Sequence, residues 1–268
     1  MESYQAQIFK PARSFLLQYH DERETVIRIC RDLNSYSKKL IFTFHRVSNR
    51  AISDVHYDQI IEYIKVIGKC LSRLSKEFVS SVNFGQLKSS ISNAAEEMIE
   101  AFTFMYYVMT RNLLKYEQML KFIEDIVEEE DTKMVLEKFW RSEEESQMKN
   151  DYTFIYRGDY FMGLFDLTGE IMRYTISNLV DDDTKTLSKE SSYNLQFMES
   201  LYKQMREILD TYPNLNVNRG VLSDDFHSKG VFTMKKKLEV FKDSLSKVES
   251  TICETVIRTR EEWDVTEL

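Results

Sequence analysis

Glu97 and Glu100 stand three residues apart in the most apolar stretch of the chain. At about 100° per residue, helical geometry sets them about 60° apart on one face. Ala94, Ala101, Phe104 and Val108 share that face. Met98, Ile99, Phe102, Met105, Tyr106 and Tyr107 make the rest of the segment apolar nearly all round, the pattern of a buried helix. Ionised carboxylates inside a buried helix are costly unless they are paired or hold a metal. A second pair, Asp166 and Glu170, lies at i,i+4, about 40° apart. It shares a narrow polar stripe with Asp159, Met162, Gly163, Arg173 and Ser177. Phe161, Leu164, Phe165, Leu167, Ile171 and Met172 fill the remainder of that helix. Such a stripe faces either water or an interior site.

If it faces inward, two helices bring four carboxylates together. Like charges about 5 Å apart repel by roughly 3 kcal/mol per pair at an effective dielectric near 20. Protons, pairing with Arg173, or a divalent cation would relieve that repulsion. An all-oxygen set suits Mg²⁺, with Mn²⁺ as a substitute, rather than Zn²⁺. Mg²⁺ on carboxylates serves phosphodiester hydrolysis by activating water and offsetting charge on the phosphate. The plainer alternative is two unrelated pairs, each solvated or bridged to a neighbouring Arg or Lys. A di-iron bundle is excluded, because it needs Glu-x-x-His and the sequence has none.

The elements that must position these acids are helical. The 268 residues include only 7 Gly and 2 Pro, which excludes collagenous or linker-rich chains and argues against a β-sandwich. Apolar residues recur at helical spacing almost throughout. The patterns cover about 21–46, 60–78, 84–114, 116–127, 133–140, 157–179, 188–209 and 230–258. Residues 142–151 and 212–228 read as loops, and 181–184 as a turn with Thr186 or Ser188 to cap the next helix. The expected fold is all-α, a seven-helix bundle forming a single domain over 1–268, with 1–19 as an N-terminal extension. Met234, Leu238, Phe241, Leu245, Val248 and Ile252 form a heptad seam in the last helix, against its own bundle or another subunit.

No stretch is apolar enough to span a membrane, and no secretory signal is evident at Met1. Cys30, Cys70 and Cys253 are odd in number and without a C-x-x-C. They read as small core residues in a reducing, cytoplasmic setting. A net charge of −8 does not advertise nucleic-acid binding, so any RNA grip must come from a local basic patch or a partner.

Residues 166–173 (Asp-Leu-Thr-Gly-Glu-Ile-Met-Arg), preceded by Asp159-Tyr160-Phe161-Met162-Gly163, resemble the signature helix of the translin-associated factor X group of the translin family. Three other stretches agree with that family in order and spacing. One contains His20-Asp21, Arg31-Asp32, Ser37-Lys38-Lys39, Ile41-Phe42 and His45-Arg46. Another is Glu97-Met98-Ile99-Glu100-Ala101, with Phe104 and Thr110-Arg111. The last is Lys236-Lys237-Leu238 with Lys242, Ser244-Leu245 and Lys247-Val248-Glu249.

The resemblance implies a seven-helix fold and a barrel-shaped hetero-octamer with translin. It further implies a Mg²⁺-dependent endoribonuclease acting on single-stranded RNA, including passenger-strand fragments in RNA silencing and transfer-RNA precursor fragments. Glu97, Glu100, Asp166 and Glu170 match the family's catalytic, metal-binding acids; translin itself lacks them. The sequence departs from the family at 212–228, which is longer, and at 142–151. It also lacks the basic N-terminal nuclear-targeting stretch of some members, so nuclear entry stays open beside a cytoplasmic location.

The candidate RNA-binding cations are Arg28, Arg31, Lys38, Lys39, Arg46 and Arg111. Tyr106, Tyr107 and Tyr160 either stack bases or pack in the core. The rival reading is a non-catalytic assembly partner of translin that binds single-stranded RNA or DNA without cutting it; a purely structural assembly factor is a third.

Overall fold

The computed structural model describes residues 4–47, 51–129, 131–141, 152, 154–180, 186–223 and 231–266. Among them are eight α-helices, one for each helical pattern and one more than a seven-helix bundle: α1 (Tyr4–Phe44), α2 (Asp54–Arg73), α3 (Phe84–Thr110), α4 (Tyr116–Glu128), α5 (Thr132–Arg141), α6 (Arg157–Ser177), α7 (Lys189–Thr211) and α8 (Val231–Thr266). A single π-helical turn, Leu74–Phe78, prolongs α2. No described helix is long and apolar enough to cross a membrane.

α3 is the central rod. Met98, Ile99, Phe102, Phe104, Met105, Tyr107 and Val108 are fully buried, as its all-round apolar pattern requires. It packs against α1 on one side and α6 on the other. The α3–α6 crossing is close because Gly163 sits there. A Cβ at this position would come within 2.6 Å of Ile99 Cγ2 and 3.1 Å of the Glu96 carbonyl oxygen. α8 closes the bundle over α6 and α7. Met234, Phe241, Leu245 and Val248 of its heptad seam are buried, so this seam serves the chain's own core.

Two expectations change. The helix expected from Asp21 already runs from Tyr4, through Pro11. Its added turns carry exposed Ile8, Phe9, Phe15, Leu16 and Leu17, so no core-facing periodicity marked them. The expected loop at 212–228 contains a hairpin, with β1 (Asn216–Asn218) antiparallel to β2 (Val221–Ser223). Arg219 (φ 50°) and Gly220 (φ 80°) both adopt the left-handed conformation that a two-residue hairpin turn demands. The turn docks on the start of α6, where the Gly158 N–H donates to the Gly220 carbonyl at 3.0 Å.

Ser188 caps α7 by accepting from the Glu190 N–H, as one of the two expected caps. Residues 142–151 and 181–185 lie outside the described residues, as do 224–228 of the expected loop and 1–3 of the extension. Cys30 and Cys70 are buried, and burial pushes their thiols up to about 12 and about 11. Cys253 is exposed, contrary to the core reading.

Candidate functional site

Glu97 and Glu100 from α3 and Asp166 and Glu170 from α6 line one cavity of about 960 Å³. α1 contributes Lys38, Ile41 and Phe42 to its wall, His45 follows directly after α1, and α8 contributes Val240, Ser244 and Lys247. The polar stripe of α6 therefore turns at least partly inward. Glu170 lies deep, its side chain 7 % exposed, while Asp166 at the mouth is 38 % exposed. Asp159, on the same stripe, is fully buried elsewhere. Its Oδ2 accepts from Lys88 Nζ at 2.9 Å and from the Tyr156 N–H at 2.9 Å.

The acids sense one another. Burial, then Asp166, Glu170 and Glu97 nearby, push the Glu100 carboxyl up to about 8. Burial also opposes ionisation of Glu170. Its hydrogen bond with His45 and the charge of Arg173 overcome that and hold it below the ordinary carboxylate value. Glu100 and Glu170 act on each other in opposite directions, Glu100 being raised and Glu170 lowered. Neighbouring carboxyls with opposite shifts are the arrangement from which acid and base roles arise.

Cations compensate three of the four. Lys38 Nζ lies 3.5 Å from Glu97. Lys237 Nζ donates to both oxygens of Asp166, at 2.7 and 2.8 Å. Glu170 meets His45 Nε2 at 2.6 Å and Arg173 Nη1 at 2.6 Å. Pairing with Arg173 was one of the three expected ways to relieve the repulsion.

The donor set is carboxylate oxygen, the kind a hard divalent cation prefers. Its geometry is not that of a formed coordination shell: among the described residues, no three His, Cys, Asp or Glu side chains are grouped to hold a metal. The fit to Mg²⁺ is thus one of donor chemistry and charge. Coordination would require Asp166 to give up Lys237 and Glu170 to loosen from Arg173.

The expected RNA-binding cations divide. Lys38 is in the cavity wall. Arg28, Arg31, Lys39 and Arg46 are exposed on or just after α1. Lys39 lies 4.2 Å from the centre of the Tyr36 ring, and Arg46 4.2 Å from that of Phe42. Arg111 is a correction. Its side chain is 7 % exposed, bonded to Glu190 and close to the Tyr107 and Tyr174 rings, so it has little surface to offer a phosphate. Tyr106 and Tyr107 are buried, and Tyr160 donates its hydroxyl to the Leu114 carbonyl at 2.6 Å. All three pack in or against the core.

Sequence reasoning gave no site role to Lys237, His45, Phe42 or Glu96. Nothing local separates Lys237 from Lys235 and Lys236. Phe42 did carry a signal, being apolar yet outward between buried Ile41 and Thr43. Glu96 is pushed up to about 7, chiefly by burial; Lys237 counters this, and Asp159 and Asp166 reinforce it.

The fold and cavity define an all-helical protein with paired carboxylates at the crossing of two core helices. The translin family profile matches residues 21–259, and the chain belongs to the translin family. Translin-associated protein X homolog from Schizosaccharomyces pombe is 25 % identical over 252 residues, covering 93 % of this chain and 87 % of its own length. Translin-associated protein X from Mus musculus is 24 % identical over 257 residues, covering 94 % of this chain and 79 % of its own. The crystal structure of apo-NeC3PO shares the fold, with a TM-score of 0.56 over 92 % of this chain and 96 % of that one, at 14 % identity.

Proposed function

We propose that this chain is the catalytic subunit of a metal-dependent endoribonuclease that cuts single-stranded RNA, assembled with translin in a hetero-oligomer of octameric type. One observation carries the reading: four carboxylates from α3 and α6 line one cavity, with the Glu100 carboxyl raised by burial and then by its acidic neighbours. The substrates proposed are passenger-strand fragments and transfer-RNA precursor fragments.

Glu97, Glu100, Asp166 and Glu170 are the side chains proposed to hold Mg²⁺, or Mn²⁺ in its place. When bound, the ion supplies a lowered water pKa and positive charge beside the phosphate. The chain's own residues do the rest. Lys38, Lys247 and Arg173 in the wall offset the repulsion between an acidic cavity and a polyanion. Glu170 keeps its charge through His45 and Arg173. Glu100, with a carboxyl near 8, can hold or release a proton at neutral pH. With a net charge of −8, part of the RNA grip is assigned to the partner's surface.

A second reading has its own support. Glu97, Asp166 and Glu170 each have a cationic partner, as a non-catalytic RNA-binding subunit would allow. Co-expression with translin and a single-stranded RNA cleavage assay separates the two. The nuclease reading requires cleavage that EDTA stops, Mn²⁺ restores and Asp166→Asn abolishes with assembly intact. RNA binding without cleavage in the wild-type complex leaves only the second reading.

A further inference from the structure

We infer that Phe42 is a stacking platform for an unpaired nucleobase at the mouth of the carboxylate cavity, selecting single-stranded over paired RNA. The inference rests on the reading of that cavity as an RNA site. Phe42 lies in the cavity wall with the four acids. It is 59 % exposed, whereas Phe165, the other phenylalanine in that wall, is 4 % exposed. Water contact over so much aromatic surface is unfavourable, and the Arg46 guanidinium lies over the ring.

The helix explains the setting. Lys38 precedes Phe42 by one turn of α1 and Arg46 follows it by four residues, in the turn just after α1, so the ring stands between two exposed cations. Ile41, Thr43 and Phe44 face the core and fix the direction in which Phe42 points. A cation–aromatic–cation stripe matches a sugar–phosphate backbone with splayed bases. The cations meet phosphates and the ring meets a base face. Every base has such a face, so sequence preference should be weak. A base inside a duplex is already stacked on both sides, so paired RNA cannot use the platform. Stacking one base here would hold the adjoining phosphate beside the acids. Phe42 is thus a positioning and specificity residue, while the chemistry belongs to the carboxylates.

The test measures binding of a 12-nucleotide single-stranded RNA carrying one 2-aminopurine, in EDTA, by the full chain assembled with its partner. Phe42→Ala and Phe42→Leu should each bind about tenfold more weakly. Phe42→Trp should bind at least as well as wild type, with its added fluorescence quenched by RNA. A blunt duplex of the same length should bind all four proteins alike. Binding of Phe42→Ala within about twofold of wild type overturns the inference. So does full affinity of Phe42→Leu, because bulk without a π-face would then suffice. Phe42-dependent binding by a complex that never cuts keeps the platform and removes the nuclease. Metal-dependent cutting with Phe42-independent binding does the reverse.

Discussion

Oε2 of Glu170 lies 2.6 Å from Nε2 of His45, joining α6 to the C-terminal end of α1 across 125 positions of sequence. Glu170 is an ionised carboxylate at a nearly buried site, so the contact keeps a charge where burial alone would neutralise it. His45→Leu removes this partner and leaves Arg173. A cost of about 1–3 kcal/mol in urea unfolding is expected. His45→Gln, which can still donate, should recover part of it.

Gly163→Ala touches none of the four cavity carboxylates, yet should impair the site. The new methyl would collide with Ile99 and approach the Glu96 backbone, so α6 must move away from α3. Overpacking of this kind costs about 1–3 kcal/mol. The same movement separates Glu97 and Glu100 from Asp166 and Glu170. Cleavage should fall by about 10²-fold, the scale of a 1 Å misplacement of catalytic groups. Thermal unfolding and a cleavage assay on the same preparation check both effects.

Stability should fall as pH rises through the neutral range. Glu100 takes up its proton near 4.5 ordinarily and near 8 in the folded chain. Between those values the folded state binds more protons than the unfolded state, and each step up in pH favours unfolding. Glu96, raised to about 7, acts in the same direction. Glu170 acts oppositely, losing stability as pH falls below the ordinary carboxylate range. Glu100→Gln should therefore melt at least about 2 °C higher than wild type at pH 8.5, with a smaller difference at pH 5. Parallel melting curves for the two proteins across that range would contradict the assignment.

Lys88 and Asp159 form a buried pair outside the cavity, with side chains 4 % and 0 % exposed. Lys88 Nζ also donates to Ser92 Oγ and the Phe154 carbonyl. Lys88→Met strands the Asp159 charge and should cost about 3–5 kcal/mol. The double variant Lys88→Met with Asp159→Asn should regain much of this in chemical denaturation.

Arg111 and Arg46 should behave differently although both are arginines near α1 or α3 termini. Arg111→Ala breaks the buried bond to Glu190 and should lower Tm while leaving the salt dependence of RNA binding unchanged. Arg46→Ala should leave Tm nearly unchanged and reduce the slope of log K against log salt by about 0.7, one single-strand phosphate contact. Fluorescence titrations between low and moderate salt separate them.

What the sequence determined by itself was local. Spacing of apolar residues placed α3 to α7 within a few residues, and α2 and α8 except for the first six residues of α2 and the last eight of α8, because burial of one helix face imprints a 3.6-residue period. It made α3 a buried rod and marked Glu97 and Glu100 as misplaced within it. Where no face is buried, as over Ile8 to Leu17 of α1, that imprint is missing and the helix was not legible. The hairpin at Asn218-Arg219-Gly220 was missed for a related reason: its strands are three residues each, too short for an alternating pattern.

The tertiary structure alone decided which helix covers which face. The α6 stripe could face water or the interior, and only its close crossing of α3 at Gly163 turned Glu170 inward. Pairing across space leaves no spacing rule in the chain. Lys237 is 71 positions from Asp166, and His45 is 125 from Glu170. Helical periodicity fixes a direction about one axis, while an ion pair depends on the relative placement of two axes, which the packing of the whole core sets.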